Sequence, residues 1–405
     1  MSITIQQGLR PLFLMCFIVG LGVYPIKQSN KSRFHRWIAY LSVLYSLALW
    51  FVYGFVLSYI FSIFPLIVVF QTNTNIVLIV INNFTAIMSA ILIFYQQKKF
   101  HMYMKKLAAV DDTLEKLGTP KTYRKLHMLS KCVIIGWMVY IIIFNIHGTI
   151  WWFKFIKQLS IRLLLFYVVN CPLHLNEFMD IIFIFLLWYL GTRFDNINDH
   201  MHCLLLKEEH GLKYMWKKPV IIHGYFLHRH YYKRTLWTSM HLHLELCHIA
   251  RELNVIFEMQ ITFEMVTYLA YLTSICYYLC RLLEQKHQDK RSILQHLIGL
   301  GCLFLTCLIR LYGVNHICES VKNKANNIDK IIHQLTNTRR YSDIWKEIDF
   351  FVLHVTQHPL KFTGLGLFYL GDKFFQKVFT TILTFVIIMV QLNMQSIPET
   401  YNSEI

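Results

Sequence analysis

The chain alternates long apolar runs with polar segments that are rich in basic residues. A membrane has a hydrocarbon core about 30 Å thick, which takes roughly 20 residues of helix to cross. Backbone groups cannot go unpaired in lipid, so runs of this length are expected to be helical. The pattern therefore predicts seven membrane-spanning helices, at residues 37–60, 76–97, 131–152, 161–191, 257–280, 292–309 and 376–398.

The first two of these spans come from one uncharged stretch. No charged side chain occurs between Arg36 and Lys98, and that distance is too long for a single span. Pro65 and the polar run at residues 71–75 interrupt the stretch, and such residues are typical of a turn. We therefore predict two helices there.

Basic residues are concentrated on alternate sides of the predicted spans. Of the 40 Lys and Arg residues, 33 lie before the first span or in the segments that begin at Lys98, Arg193 and Arg310. Lys and Arg accumulate on the cytoplasmic side of membranes, so these segments are predicted to be cytoplasmic. The amino terminus is then cytoplasmic and the carboxyl terminus extracellular.

This topology predicts an all-α, polytopic membrane protein with five parts. Apolar residues at helical spacing in the long cytoplasmic segments indicate that the membrane helices extend into the cytoplasm. The apolar residues 11–26 lack a small-residue cleavage site and are interpreted as a retained membrane-associated stretch. The five parts are an N-terminal cytoplasmic segment (1–36), six spans with cytoplasmic loops (37–314), a cytoplasmic helical segment (315–375), the last span (376–398) and an extracellular tail (399–405).

Composition excludes several classes of protein. The chain is 55% hydrophobic and only 16% charged, which argues against a water-soluble domain. Its net charge of +17 is spread over the segments between spans and forms no single basic face, so nucleic acid is not a predicted partner. The ten cysteines show no paired spacing, and no disulfide framework, cofactor or resident metal is predicted.

The last span carries one polar stripe. At 100° per residue, five side chains fall within about 80° of one another, while apolar residues occupy most of the remaining circumference. Such a stripe either joins helices through hydrogen bonds or faces water. Four copies around an axis would make a narrow conduit, with an aliphatic constriction at Ile388 or Leu392. The stripe consists of Thr381, Thr384, Ile388, Gln391 and Gln395.

The same span carries a family motif. Thr384-Phe385, five hydrophobic residues and then Gln391-Leu392 resembles the Thr-Tyr, five hydrophobics, Gln-Phe signature at the carboxyl terminus of insect gustatory receptors. Phe for Tyr and Leu for Phe are mild departures. The preceding residues 358–372 and the entry to the fifth span at 253–260 are also similar to that family.

This resemblance implies a ligand-gated, non-selective cation channel in the plasma membrane. The family's last helix lines a pore shared by a homotetramer, or by a heteromer with related subunits, and its ligand pocket opens outward within each subunit. The implied partners are a small-molecule tastant, permeant cations and membrane lipid. By position in the motif, Ile388, Gln391 and Leu392 would line the narrowest part of the pore, with Thr384 and Gln395 on the same stripe.

The fourth span offers a candidate ligand site. Asn170, His174, Glu177 and Asp180 share one helix face just after Pro172. Ionisable groups at membrane depth are costly and face a cavity or a partner, so this face is either a ligand site or a structural hydrogen-bonded cluster. Aromatic residues at the outer ends of spans would stack on an apolar ligand or anchor the helices at the interface, and they include Trp151, Tyr268 and Tyr271.

The other candidate chemistry is weaker. Six histidines between residues 223 and 248 lack established zinc-ligand spacing and are interpreted as a solvated face. No catalytic residue is predicted, and the chain is not expected to be an enzyme. The rival functions are a G-protein-coupled receptor, which requires the opposite orientation, and a membrane-embedded enzyme that uses His174. A transporter should show internal repeats, and none is evident.

Overall fold

Ten helices and one short sheet make up the part of the chain that the structure describes. The structure, a computed structural model, describes residues 4–22, 33–63, 73–152, 158–215, 222–284, 290–336 and 345–395. The elements in chain order are α1 (Ile5–Gly8), α2 (Arg10–Ile18), α3 (Arg33–Ile63), α4 (Asn73–Lys116), α5 (Tyr123–Trp152), α6 (Leu159–Met215), α7 (Ile222–Glu284), α8 (Lys290–Thr336), α9 (Trp345–Gln357), β1 (Thr363–Gly364), β2 (Phe368–Tyr369) and α10 (Asp372–Gln395).

Seven of the described helices are long and apolar enough to cross a membrane, which confirms the predicted number of spans. They are α3 to α8 and α10, in the order that the sequence predicts. Their candidate membrane portions are Tyr40–Ser62, Ile79–Lys116, Tyr123–Ile150, Leu159–Leu204, Lys233–Cys280, Leu297–Ile332 and Asp372–Gln391.

Most of these helices continue beyond the predicted spans, as the helical spacing of the cytoplasmic segments indicates. The predicted second span ends at residue 97, whereas α4 continues to Lys116, and α8 continues past the predicted limit of residue 309 to Thr336. The added turns bury apolar side chains at helical spacing, such as Val321, Ala325 and Ile328 in α8. Charged residues therefore mark where a helix leaves its apolar surroundings and do not mark where it ends.

The centre of the bundle is α6. Among the 18 most apolar consecutive residues of α6, 83% are buried. The corresponding share is 11% in α3 and 11% in α10. It packs against α3, α4, α5, α7 and α8. A helix buried on most of its circumference brings its polar side chains into contact with several neighbours, so α6 is the element from which a site inside the bundle is built.

The amino-terminal residues pack against the bundle. Helices α1 and α2 contact α5, and Leu9, Leu12, Phe13 and Cys16 are buried. The hydroxyl of Ser130 on α5 donates to the carbonyl of Gly8 at 3.0 Å. One face of the stretch that the sequence predicts to be membrane-associated therefore packs in the core, while Leu14 and Ile18 on its other face are exposed.

A two-stranded hairpin lies between α9 and α10. The sequence pattern predicts only helix for residues 315–375, so these strands were not predicted. Thr363 pairs with Tyr369 and Gly364 with Phe368, around a turn in which Gly366 has a φ of 71°. A positive φ suits glycine because it has no Cβ.

One hydrogen bond ties the start of α10 to α8. The backbone N–H of Gly371, which precedes the helix, donates to the side-chain oxygen of Asn315 at 3.0 Å. Asn315 is fully buried, and its amide nitrogen donates to the carbonyl of Leu311 on the same helix. A buried backbone N–H needs such a partner, so α8 fixes the point at which α10 begins.

Candidate functional site

Three ionisable side chains of α6 lie on one face in the centre of the bundle, as the sequence predicts. His174, Glu177 and Asp180 are 6%, 3% and 3% exposed. Their spacing of three residues places them one above the other along the helix. The helix is continuous through Pro172.

The first part of the site joins α6 to α5. The amide nitrogen of Asn145 lies 2.9 Å from Nε2 of His174, and Nδ1 of His174 lies 2.9 Å from a carboxylate oxygen of Glu177. The ring of His174 therefore bridges Asn145 of α5 and Glu177 of its own helix. The other oxygen of Glu177 accepts from the hydroxyl of Tyr140 at 3.0 Å.

The second part joins α6 to α7 and α8. Arg310 donates from Nε at 3.0 Å and from Nη2 at 2.8 Å to one carboxylate oxygen of Asp180. The hydroxyl of Tyr268 donates to the same oxygen, and the guanidinium lies 5.0 Å from the centre of the Tyr268 ring. Nη1 of Arg310 is also 3.8 Å from Glu177. One arginine therefore contacts both α6 carboxylates.

A third carboxylate completes the buried carboxylate cluster, which we define as Glu177, Asp180 and Glu264 with Arg310. One oxygen of Glu264 accepts from the amide of Gln260 at 3.0 Å. The second oxygen of Glu264 and Oδ1 of Asp180 are buried, and the two side chains lie within hydrogen-bonding reach of each other. Arg310 pairs with Asp180 and Glu177, and Glu264 joins the cluster through Asp180.

The electrostatics of the cluster limit what it can do. Charges taken out of water are costly unless they are paired, and here acidic groups outnumber the guanidinium. The cluster can fix α6, α7 and α8 against one another, or it can hold a hydrogen-bonding or cationic group. Both possibilities follow from the same geometry.

The remaining predicted ligand residues are placed differently. Asn170 donates to the carbonyl of Phe166, one turn away in α6, at 2.9 Å. The hydroxyl of Tyr271 accepts from Asn82 on α4 at 2.5 Å. No hydrogen bond between either residue and the carboxylate cluster is seen in the described part of the chain, whereas His174, Glu177 and Tyr268 belong to one network. The side chain of Trp151 lies outside the described residues.

The sequence did not reveal the partners of two arginines. Arg193 and Arg310 each open a segment predicted to be cytoplasmic, and both side chains are largely buried in ion pairs. Arg193 lies 2.7 Å from Asp111, and the hydroxyls of Tyr123 and Tyr189 donate to that carboxylate. The sequence feature that could have identified these arginines is a single basic residue directly after each apolar run. No sequence pattern marked Tyr140 or Asn145 as part of the site.

The polar stripe of α10 faces away from its own subunit. Among the described side chains of α10, Val378 and Ile382 are buried and define its inner face. Thr384, Ile388 and Gln391 are exposed on the opposite face. The hydroxyls of the α10 threonines donate to carbonyls one turn back, which leaves their outer lone pairs free. The side chains of Leu392 and Gln395 lie outside the described residues.

The histidine-rich stretch is not uniformly solvated. His243 is buried, with Nε2 3.0 Å from the carbonyl of Ala325, so the predicted solvated face is wrong at that position. His241 and His248 are exposed. The described residues contain no group of three His, Cys, Asp or Glu side chains that could hold a metal ion. The side chains of His223, His228 and His230 lie outside them.

Comparison with known proteins gives two positive results. A sequence model of the family described as 7tm Chemosensory receptor matches residues 9–396. Two structures of the insect olfactory receptor OR5 from Machilis hrabei are similar, each over 95% of this chain and 97% of that chain. The structure in complex with eugenol has a TM-score of 0.62 at 13% identity, and the other has 0.56 at 14%. No curated protein matches the sequence.

Proposed function

Because this chain belongs to the 7tm chemosensory receptor family, a multi-pass receptor family of the plasma membrane, we propose that it is a gustatory receptor acting as a ligand-gated, non-selective cation channel. In this proposal, α10 lines a pore shared by four subunits, which are copies of this chain or related receptors. The ligand is a small-molecule tastant. Family membership confirms the resemblance to insect chemosensory receptors, while the gustatory type is part of the proposal.

The orientation of α10 is the observation that carries the channel proposal. Its apolar inner face, at Val378 and Ile382, packs on α7 and α8, and its polar stripe lies on the opposite side. A polar stripe exposed to lipid would leave amide groups without partners. A central axis shared with other subunits supplies water or neighbouring polar side chains and so removes that cost.

The stripe has the chemistry of a cation conduit. Gln391 presents amide oxygens, and Thr384 presents hydroxyl oxygens, each of which can replace part of the water around a monovalent cation. The stripe contains no charged residue, which supports weak discrimination among cations. Ile388 lies between these two residues along the helix and gives the apolar constriction that closes such a pore.

The ligand part of the proposal rests on α6. His174 and Glu177 lie in a polar network inside an otherwise apolar bundle, and small-molecule sites orient their ligands through a few polar groups in apolar surroundings. One of the similar olfactory receptor structures is in complex with eugenol, and we extend small-molecule binding to this chain. The ligand acts by binding the open state more tightly than the closed state.

Current recording tests this function. Cells expressing the chain, alone and together with related receptors, are exposed to a panel of sugars, alkaloids and phenols under voltage clamp. We expect at least one compound to evoke a current whose reversal potential changes little when external Na⁺ is replaced by K⁺. A receptor at the cell surface that gives second-messenger signals but no current in any combination would contradict the channel proposal.

A further inference from the structure

The two amino-terminal helices lie between α4 and α5. On one side, the hydroxyl of Ser130 on α5 donates to the carbonyl of Gly8 at 3.0 Å. On the other side, the ring of Phe13 on α2 meets the ring of Phe100 on α4 edge to face, with the ring centres 5.7 Å apart. Residues 8–13 therefore join α4 to α5.

Helix α2 enters the apolar zone of the bundle with its carboxyl end. The hydroxyl of Tyr45, in the candidate membrane portion of α3, donates to the carbonyl of Ile18 at 3.2 Å. Leu14 and Ile18 are each 50% exposed, as suits side chains that face lipid. Arg10 opens the helix at its other end. Arg10 therefore lies where α2 meets the membrane boundary.

Four basic residues flank these contacts and form what we call the basic collar. On α4 and α5 they lie within two positions of Phe100 and Ser130, and on α2 the collar residue lies between Gly8 and Phe13. All four side chains are exposed, and none of them forms an ion pair with another described residue. The collar consists of Arg10, Lys98, Lys99 and Lys131.

The helices that carry the collar offer it no counter-charge. Helices α1, α2 and α5 contain no Asp or Glu, and the first carboxylate of α4 is Asp111. Other lysines of this region are neutralised, since Lys106 pairs with Glu252 and Lys121 pairs with Asp112. The positive charge of the collar is therefore available to an anion from outside these helices.

The surroundings of the collar indicate where that anion comes from. On each of the three helices, an exposed residue with a large apolar side chain lies one turn from a collar residue, on the membrane side. A water-soluble acidic partner would leave these side chains uncovered, whereas a lipid covers them with its acyl chains and presents its headgroup at the level of the collar. These residues are Leu14, Tyr95 and Ile135, which are 50%, 80% and 62% exposed.

We propose that the basic collar binds the headgroup of an anionic phospholipid from the leaflet on the basic side. The phosphate accepts charge-assisted hydrogen bonds from Arg10 and from the collar lysines, and a guanidinium suits a phosphate because it donates two parallel bonds. A zwitterionic lipid is disfavoured, because its ammonium group is repelled by the same side chains. The bound lipid joins α2 to its neighbours and holds the amino-terminal helices between α4 and α5.

Two measurements on the full-length protein test the proposal. Native mass spectrometry in detergent gives the affinity for dioleoylphosphatidylserine, with dioleoylphosphatidylcholine as the matched zwitterionic lipid. Hydrogen exchange in nanodiscs follows peptides of residues 5–18 in phosphatidylcholine alone and in a mixture with phosphatidylserine. We expect tighter binding of the serine lipid, and slower exchange of these peptides in the mixture.

Charge-matched variants separate the collar from net charge. The double variant Arg10→Gln with Lys131→Gln should lower the affinity for phosphatidylserine roughly fivefold or more and abolish the lipid-dependent protection of residues 5–18. Arg10→Lys with Lys131→Arg keeps both charges and should retain both effects. Lys330→Gln with Lys346→Gln removes the same charge at exposed positions and should change neither. Lys330 lies about 30 Å along α8 beyond Arg310, which is further than the screening length.

Three results would overturn the proposal. One is equal affinity of the unaltered protein for the two lipids. Another is a preference for phosphatidylserine that survives in Arg10→Gln with Lys131→Gln. The third is an equal loss of that preference in Lys330→Gln with Lys346→Gln, which would assign the attraction to net charge alone. Elution of each variant as a monodisperse protein checks that it is folded.

Discussion

Arg310 of α8 donates two hydrogen bonds to a single carboxylate oxygen of Asp180 in α6, at 3.0 and 2.8 Å. The two residues are 130 positions apart in the chain and lie in different candidate spans. Their ion pair joins α8 to the most buried helix of the bundle. Removal of the Arg310 side chain should therefore weaken the packing of α8 against α6.

Arg310→Gln is expected to destabilise the folded protein strongly. Removing one partner of a buried ion pair costs roughly 3–5 kcal/mol, because the remaining charge is left uncompensated. Thermal unfolding of the purified protein in nanodiscs measures the effect. Lys322→Gln on the same helix removes the half-exposed pair with Glu319 and should cost less than about 1 kcal/mol. Equal shifts in the two variants would contradict the prediction.

Gln391→Ala is expected to change single-channel conductance or the relative permeability of cations. The exposed amide lies on the stripe that we propose to face the pore, so its loss alters how permeating ions are solvated. Leu383→Ala, on a flank of the same helix, is the control. Unchanged permeation across several substitutions at Ile388 and Gln391 would refute the pore assignment.

His174→Ala is expected to change ligand sensitivity without changing conductance. The substitution removes the ring that contacts Asn145 and Glu177 on the face that we propose to hold the ligand. Loss of one hydrogen bond to the ligand costs about 0.5–1.5 kcal/mol, so we expect the half-maximal ligand concentration to rise roughly two- to tenfold. His241→Ala, at an exposed position, should leave the dose-response curve in place. A variant with altered conductance but an unshifted curve would argue against a ligand role.

Gly371→Ala is expected to impair the start of α10. Gly371 has a φ of 143°, and a Cβ at this position would lie 2.4 Å from a carboxylate oxygen of Glu319. Both the backbone and the side chain opposite would have to shift. We expect a lower melting temperature and a smaller maximal current. Gly366→Ala, where a Cβ meets nothing within 4 Å, tests the effect of positive φ alone and should cost about 1 kcal/mol.

An epitope tag after residue 405 is expected to bind antibody on intact cells, whereas a tag before residue 1 should require permeabilisation. The prediction follows from the distribution of Lys and Arg between the two sides of the spans. The reverse pattern would favour a G-protein-coupled receptor. Surface labelling of both tagged proteins with a membrane-impermeant biotin confirms that they reach the plasma membrane.

The sequence predicted the seven helices and the polar face of α6 because both depend on local periodicity. Apolar runs identify spans, and His174, Glu177 and Asp180 fall on one face by helix geometry alone. The partners of that face could not be predicted. Arg310, Tyr268 and Asn145 come from three other helices, and which helices become neighbours depends on packing that no single segment encodes. The residues at which the extended helices end could not be predicted for the same reason.

The hairpin before α10 could not be predicted from the sequence for a different reason. Its strands are two residues long, which is too short for an alternating pattern to be detected. Gly364 and Gly366 indicate a turn, but a strand pair of this size is held by its contact with α7 rather than by its own sequence. The described residues of the α10 stripe lie on one exposed side of the helix, whereas its role in lining a pore stays a prediction.

The sparse burial of α10 within its own subunit has a consequence for expression of the receptor. Only one side of the helix is held by α7 and α8, so its flanks and stripe meet whatever neighbours the membrane provides. If those neighbours are other subunits, a defective copy would spoil every complex that it joins. A mixture of intact and inactive chains would then lose response faster than the fraction of inactive chains rises, which is dominant-negative behaviour.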